Sequence, residues 1–213
     1  MLFKDRREAG EFLAERLDQY TGRSPLILAV PRGGIAVALP IWQRLGGELD
    51  LIAARKIGAP DQPELAIGAV TGDGSLLVNE ALAARLQLPE GYLESAAAKE
   101  QAEIGRRLRL YRGERRAPEI GGRIVIVVDD GVATGFTLHA ALKGVGRSRP
   151  QRLILAVPVG PPGALDHLRR EVDELCHLQA PPDFAAVGQF YRDFRQVRDS
   201  AVIAALREAW DCS

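Results

Sequence analysis

The sequence predicts an α/β fold: a central, mostly parallel twisted sheet with helices on both faces. Three observations carry this. Ile124–Val128 is an unbroken run of Ile and Val, and a strand that is apolar at every residue is buried on both faces, as in parallel sheets. Over the second half of the chain, such runs alternate with segments of helical periodicity, the pattern of a doubly wound sheet. Finally, 46% of the 213 residues are hydrophobic, enough to fill one core of this kind. Residues 1–213 read as a single domain with its core over about 24–178.

In chain order, Asp5-Arg6-Arg7-Glu8 has capping-box spacing with Asp5 as N-cap. Ala9, Phe12, Leu13, Arg16 and Leu17 follow at helical spacing, so a first amphipathic helix is expected to about Tyr20. Leu26–Val30 is the first buried strand, Pro31-Arg32-Gly33-Gly34 a loop, and a helix opens at Ile35. Leu49–Ala54 is a second strand, and Arg55–Pro60 with Asp61–Glu64 reads as a polar, mobile loop. Ala66–Val70 and Leu76–Val78 flank Thr71–Gly74 as a hairpin around a glycine turn. Asn79 caps a short helix to Leu86, Pro89-Glu90-Gly91 breaks the chain, and Tyr92–Tyr111 is a long charged helix with a narrow apolar stripe.

The central strand Ile124–Val128 leads to a helix from Phe136 to about Val145, a strand Leu153–Val159, a short helix Ala164–Arg170 and a last core strand Val172–Leu178. Gln179–Phe184 is a loop, and Ser200–Trp210 closes the chain as an amphipathic helix.

Composition narrows the function classes. Lys+Arg and Asp+Glu are both 28, so no global basic field favours nucleic acid as partner. No run of about 18 apolar residues suggests a membrane span, and Met1–Glu8 is charged and helical rather than a signal peptide. Cys176 and Cys212 are far apart with no C-x-x-C, which reads as reduced thiols in a cytoplasmic protein without a zinc site. His139, His167 and His177 show no ligand spacing and are read as structural or surface residues. Arg106, Arg107, Arg109, Arg112, Arg115 and Arg116 form a local basic cluster. It is read first as a solvated helix face, with phosphate or homo-oligomer contacts as the sharper options.

The candidate site begins where the central strand ends. Asp129 and Asp130 fall at its C-terminal end, where open α/β sheets bind ligands. The turn Gly131-Val132-Ala133-Thr134-Gly135-Phe136-Thr137 then presents backbone N–H groups at a helix start, a natural anion site. Acceptors for hydroxyls beside donors for phosphate suit a phosphorylated sugar. A Walker B strand also ends in acids, but no G-x-x-x-x-G-K-[ST] occurs in the chain.

Val127–Thr137 resembles the phosphoribosyl-diphosphate (PRPP) binding motif of type I phosphoribosyltransferases, and its Ala-Thr-Gly core looks most like the uracil version. Val30–Gly34 resembles that family's diphosphate loop, and Arg55–Pro60 its Arg-Lys-x-Gly-x-x-Pro segment, with Pro60 one position early. The resemblance covers about residues 24–178. It implies a Mg²⁺-dependent transferase that moves 5-phosphoribosyl from PRPP to a small nitrogenous acceptor, or alternatively a PRPP-binding regulator.

On this reading, Pro31, Arg32, Gly33, Gly34, Arg55 and Lys56 bind diphosphate, with Arg32 and Lys56 neutralising the leaving group. Asp129 and Asp130 hold the ribose hydroxyls and are the metal-side carboxylates, directly or through water or substrate. Gly131 to Thr137 bind the 5-phosphate. Residues 79–116 and 179–213 are the hood that selects the acceptor, with Phe184, Phe190 and Tyr191 as the aromatics to stack a base. Purine enzymes carry an Asp where this chain has Ala133, which argues against a 6-oxopurine acceptor handled in that way. The sequence marks no replacement acid or base; Asp183 and Asp193 are the carboxylates nominated.

Overall fold

The computed structural model describes residues 1–211, and Glu64 by its backbone alone; the thiol reading of Cys212 lies outside them. Five strands, β1 (Leu26–Ala29), β2 (Glu48–Leu51), β6 (Ile124–Val128), β7 (Arg152–Val159) and β8 (Glu174–Gln179), form one sheet in the order β2-β1-β6-β7-β8. All four pairings are parallel. The antiparallel strands β3 (Ala54–Ala59), β4 (Gln62–Thr71) and β5 (Leu76–Val78) make a separate sheet.

Strand alternation explains why helices cover both faces. Ile27, Ile126, Ile154 and Ala156 face one core, shared with α1 (Arg6–Arg16), α2 (Gly33–Leu45) and α7 (Asp199–Asp211). Leu28, Val125, Val127 and Leu155 face the other, against α5 (Phe136–Arg147) and α6 (Pro162–Arg169). The three-stranded sheet has its own core of Ile57, Ala59, Ile67 and Val70, closed by Ile104 of α4 (Tyr92–Arg112). The short helix α3 (Glu80–Leu86) begins at Asn79, whose side chain accepts from the Leu82 amide as expected.

Four expectations are corrected. The first helix ends at Arg16, and a 3₁₀ turn at Asp18–Tyr20 takes up the rest. Gly33 and Gly34 are the first turn of α2 rather than loop. The second core strand stops at Leu51, and Arg55–Ala59 is strand, not loop. The supposed polar loop at Asp61–Glu64 is a hairpin, with Ala59 opposite Gln62 and β4 running from Gln62. Ladder hydrogen bonds override the Gly/Pro signal there, and register shifts around Gly58 absorb the misfit.

Candidate functional site

From the centre of the sheet, the chain leaves β1 for β2 on one side and β6 for β7 and β8 on the other. The β1–β6 pair is therefore the topological switch point, where a crevice opens beyond the carboxyl ends of the strands. In the parallel register Ala29 lies opposite Val128, and the Val30 amide donates to the Val128 carbonyl at 2.8 Å. The segments that leave these two strands, Val30–Gly34 and Asp129–Thr137, are therefore neighbours.

The two acids stand in different surroundings. Asp129 is half-buried, and one carboxylate oxygen accepts from the Asp130 amide at 2.8 Å. Burial first, and the Asp130 charge second, hold its pKa well above the ordinary carboxylate range. Asp130 is paired with Arg6, with Nε 2.7 Å from Oδ2.

Gly33 packs against the Asp130 carboxylate and Gly34 against the main chain at the end of β6. A Cβ on Gly33 would fall 1.9 Å from Asp130 Oδ2, and one on Gly34 would fall 2.6 Å from the Val128 carbonyl. The space beside both positions is filled by Asp130 and the end of its strand.

The turn after the acids presents donors. Among the described residues, no protein group accepts from the amides of Ala133, Thr134, Gly135, Phe136, Thr137 and Leu138; the first intrahelical bond joins the His139 amide to the Gly135 carbonyl at 2.8 Å. Gly135 caps α5 at φ 74°, a left-handed conformation that glycine adopts without a Cβ penalty. No side chain caps this helix, so its N-terminal amides and dipole face the crevice. Ala133 and Thr134 are exposed, and Gly135, Phe136 and Thr137 half-buried. Val132 is different: its amide bonds the Val159 carbonyl at 2.8 Å and its side chain is buried. Gly131 lies against Val187, which its Cβ would meet at 2.5 Å.

Beside the turn, a cavity of about 270 Å³ is lined by Val30, Pro31, Arg55, Lys56, Arg107 and Thr137, among others. It brings the end of β1, the start of α5 and the two cations of β3 together, and adds Arg107 of α4. Arg55 pairs with Glu100, and Arg107 donates to Glu103 at 2.7 Å. Arg32 is not among the residues lining the cavity. Its Nη1 lies 3.7 Å from Asp199 at the start of α7.

The aromatic residues of the C-terminal segment divide into two pairs. Phe184 and Phe190 are half-buried and stacked, centroids 5.7 Å apart. Tyr191 is 5% exposed, its ring between Phe3 and Phe194, and its hydroxyl donates to the Asp130 carbonyl at 2.7 Å. Both ring faces are thus occupied by protein. Asp193 is taken by Arg195, and Asp183 lies on the exposed surface.

The sequence marks Arg6 only as part of a helix start, yet it reaches the acid pair. No local signal points to this role, because its partner is 124 positions away. His139 and His167 also meet, Nδ1 to Nε2 at 3.2 Å, with Glu171 3.0 Å from His139 Nε2.

Comparison with known proteins settles the family. The model of the phosphoribosyl transferase domain matches residues 4–195. The chain belongs to that family. It has the α/β fold, a central parallel sheet with helices on both faces, that its sequence implied.

Two curated relatives from Mycobacterium tuberculosis, of strains H37Rv and CDC 1551, are named "Putative phosphoribosyl transferase" and are each 38% identical over 208 residues. The match takes in 98% of this chain and 47% of each relative, so the chain spans about half the length of the curated relatives it matches. The crystal structure of TT1426 from Thermus thermophilus is 45% identical, covers 98% of this chain and 99% of its own, and superposes with a TM-score of 0.84.

Proposed function

We propose that this phosphoribosyltransferase-family protein transfers the 5-phosphoribosyl group of PRPP to a small nitrogenous acceptor, with release of diphosphate. The observation that carries the reading is one juxtaposition at the switch point: an acid pair, the unshared amides of residues 133–138, and a cavity edged by Arg55 and Lys56. A sugar bearing phosphate groups at two positions asks for these three things together.

In the reaction, the bond from ribose C1 to the diphosphate oxygen breaks, a bond from C1 to the acceptor nitrogen forms, and the leaving electrons stay on diphosphate. The transition state carries positive charge on the ring and growing negative charge on the leaving group, so positioned charges and donors do the catalytic work. The amides of residues 133–138 and the Thr134 and Thr137 hydroxyls receive the 5-phosphate. Asp129 and Asp130 hold the ribose hydroxyls and favour the cationic ring. Lys56 and Arg55 face the diphosphate; Arg32 joins them by leaving Asp199, a pair half-exposed and 3.7 Å long.

The donor set also fits Mg²⁺. One oxygen of Asp129 accepts from an amide and one of Asp130 pairs with Arg6, and the two carboxyls crowd each other, which a cation beside them would relieve. Among the described residues, no group of three or more His, Cys, Asp or Glu forms a protein cage for a metal. Two hard carboxylates without a cage suit an ion that keeps water and substrate oxygens as most of its ligands. Asp129 and Asp130 would hold it, and it would neutralise charge on the diphosphate.

Thermal stability measured with and without PRPP and Mg²⁺ tests the site. The ligand should raise the melting temperature of the wild type by linkage and leave that of Asp129→Asn/Asp130→Asn unmoved; a double variant that responds like wild type would refute the assignment. Diphosphate release from PRPP across a panel of bases and amines tests the chemistry, and no acceptor-dependent release would favour the regulator.

A further inference from the structure

We infer that Arg6 is a positioning residue of the sugar site, which fixes the Asp130 carboxylate for the ribose hydroxyls. The inference rests on the PRPP reading and adds to it a residue outside the resemblance. Asp130 is held from three directions. Arg6 Nε donates to Oδ2 at 2.7 Å, the Tyr191 hydroxyl donates to the Asp130 carbonyl at 2.7 Å, and Gly33 stands where any Cβ would strike the carboxylate.

Arg6 is itself fixed: it is 9% exposed, its Nη1 donates to the Arg195 carbonyl at 3.0 Å, and its guanidinium lies 3.8 Å over the Phe194 ring. An ion pair so far out of water adds little net stability over an apolar pair of similar shape, so stability alone does not account for it here. Its fork contacts a carboxylate, a carbonyl and an aromatic face at once, which a lysine ammonium does not reproduce. One oxygen of Asp130 is committed to Arg6, and the carboxylate then presents the other in a fixed orientation.

The test separates sugar from phosphate recognition. Isothermal titration would measure PRPP and ribose 5-phosphate in Mg²⁺, and inorganic diphosphate without it so that no carboxylate-held ion links that ligand to Asp130, against wild type, Arg6→Met and Arg6→Lys. The expected result for Arg6→Met is a loss of about tenfold or more for the two ribose ligands with diphosphate unchanged, and a smaller loss for Arg6→Lys, which keeps the charge without the fork.

Unchanged ribose affinity, or parallel loss for all three ligands, overturns the inference. Phe194→Leu removes the ring beneath the guanidinium at a site 36% exposed. It should show the same selectivity in weaker form, and it decides the matter if Arg6→Met does not fold. Failure of the wild type to bind any of the three ligands would instead sink the PRPP reading, and the inference with it.

Discussion

Gly33→Ala separates the site from the fold. Gly33 opens α2 at a negative φ, so alanine fits the backbone, and in a helix the change would ordinarily stabilise by about 0.4–1 kcal/mol. Here the new Cβ would lie 1.9 Å from Asp130 Oδ2 and 2.4 Å from Cγ. The oxygen has to retreat beyond 3.0 Å, which carries the carboxylate out of its present place beside Arg6. A side chain can move where a backbone cannot, so the expected change in melting temperature is small. The carboxylate, however, moves by about 1 Å from its place at the sugar, a displacement that can lower activity about 100-fold.

Gly34→Ala is the control, because its Cβ would meet the Val128 carbonyl at 2.6 Å and Asp129 Cα at 3.1 Å, both main chain. That overpacking should cost about 1–3 kcal/mol, or several degrees in melting temperature for a chain of this size. Calorimetry of the free proteins and titration with Mg²⁺ and PRPP read the two effects. Gly33→Ala binding PRPP like wild type would refute the reasoning.

Two further outcomes follow from buried groups other than the acid pair. Asp50 is fully buried and paired with Arg112 at 2.7 Å, and burial pushes its pKa up. Arg112→Met should destabilise by about 3–5 kcal/mol at neutral pH, less in mild acid where the lone carboxyl takes a proton, and Asp50→Asn/Arg112→Met should recover most of the loss; denaturant unfolding at two pH values checks this. Burial lowers the His139 pKa, so the unfolded chain binds a proton more readily than the folded one. The contribution of His139 to stability should therefore be lost as pH drops below about 6.5, and the melting temperature of His139→Gln relative to wild type should rise over that range.

What the sequence made legible was local. The central strand, the acids, the small-residue turn and the following helix are contiguous from Ile124 to Thr137, so one pattern places strand end, carboxylates and helix start together. What it hid was assembled across the chain. A glycine signals that no Cβ fits, but not what fills the space; at Gly33 and Gly34 the occupant is the end of β6 and the acid pair that follows it. Gly58, Pro60 and Pro63 suggest a loop, whereas pairing with β4 makes Arg55 and Lys56 part of an edge strand with an irregular register. Tyr191 reads as a base-stacking aromatic because it stands in an aromatic-rich stretch beside a polar loop. Its neighbour in space is Phe3, and the Phe3 amide bonds the Phe190 carbonyl at 2.8 Å.

The two sides of the crevice consequently depend on different parts of the molecule. Phe3, Ala9 and Tyr191 form one buried cluster, and this packing of the N-terminal helix against the C-terminal segment sets Arg6 and the Tyr191 hydroxyl on Asp130. Arg55 and Lys56 stand instead on the sheet packed around Ile57, Ile67 and Ile104, and Arg55 is tied to Glu100 of α4. A cation on a hydrogen-bonded strand with a carboxylate partner is placed before substrate arrives, so less order has to be imposed on binding than for a loop. The sugar side is fixed by packing between segments far apart in sequence, and the diphosphate side by a local hairpin and its helix. Damage to either packing unit should therefore weaken recognition of its own half of the donor first.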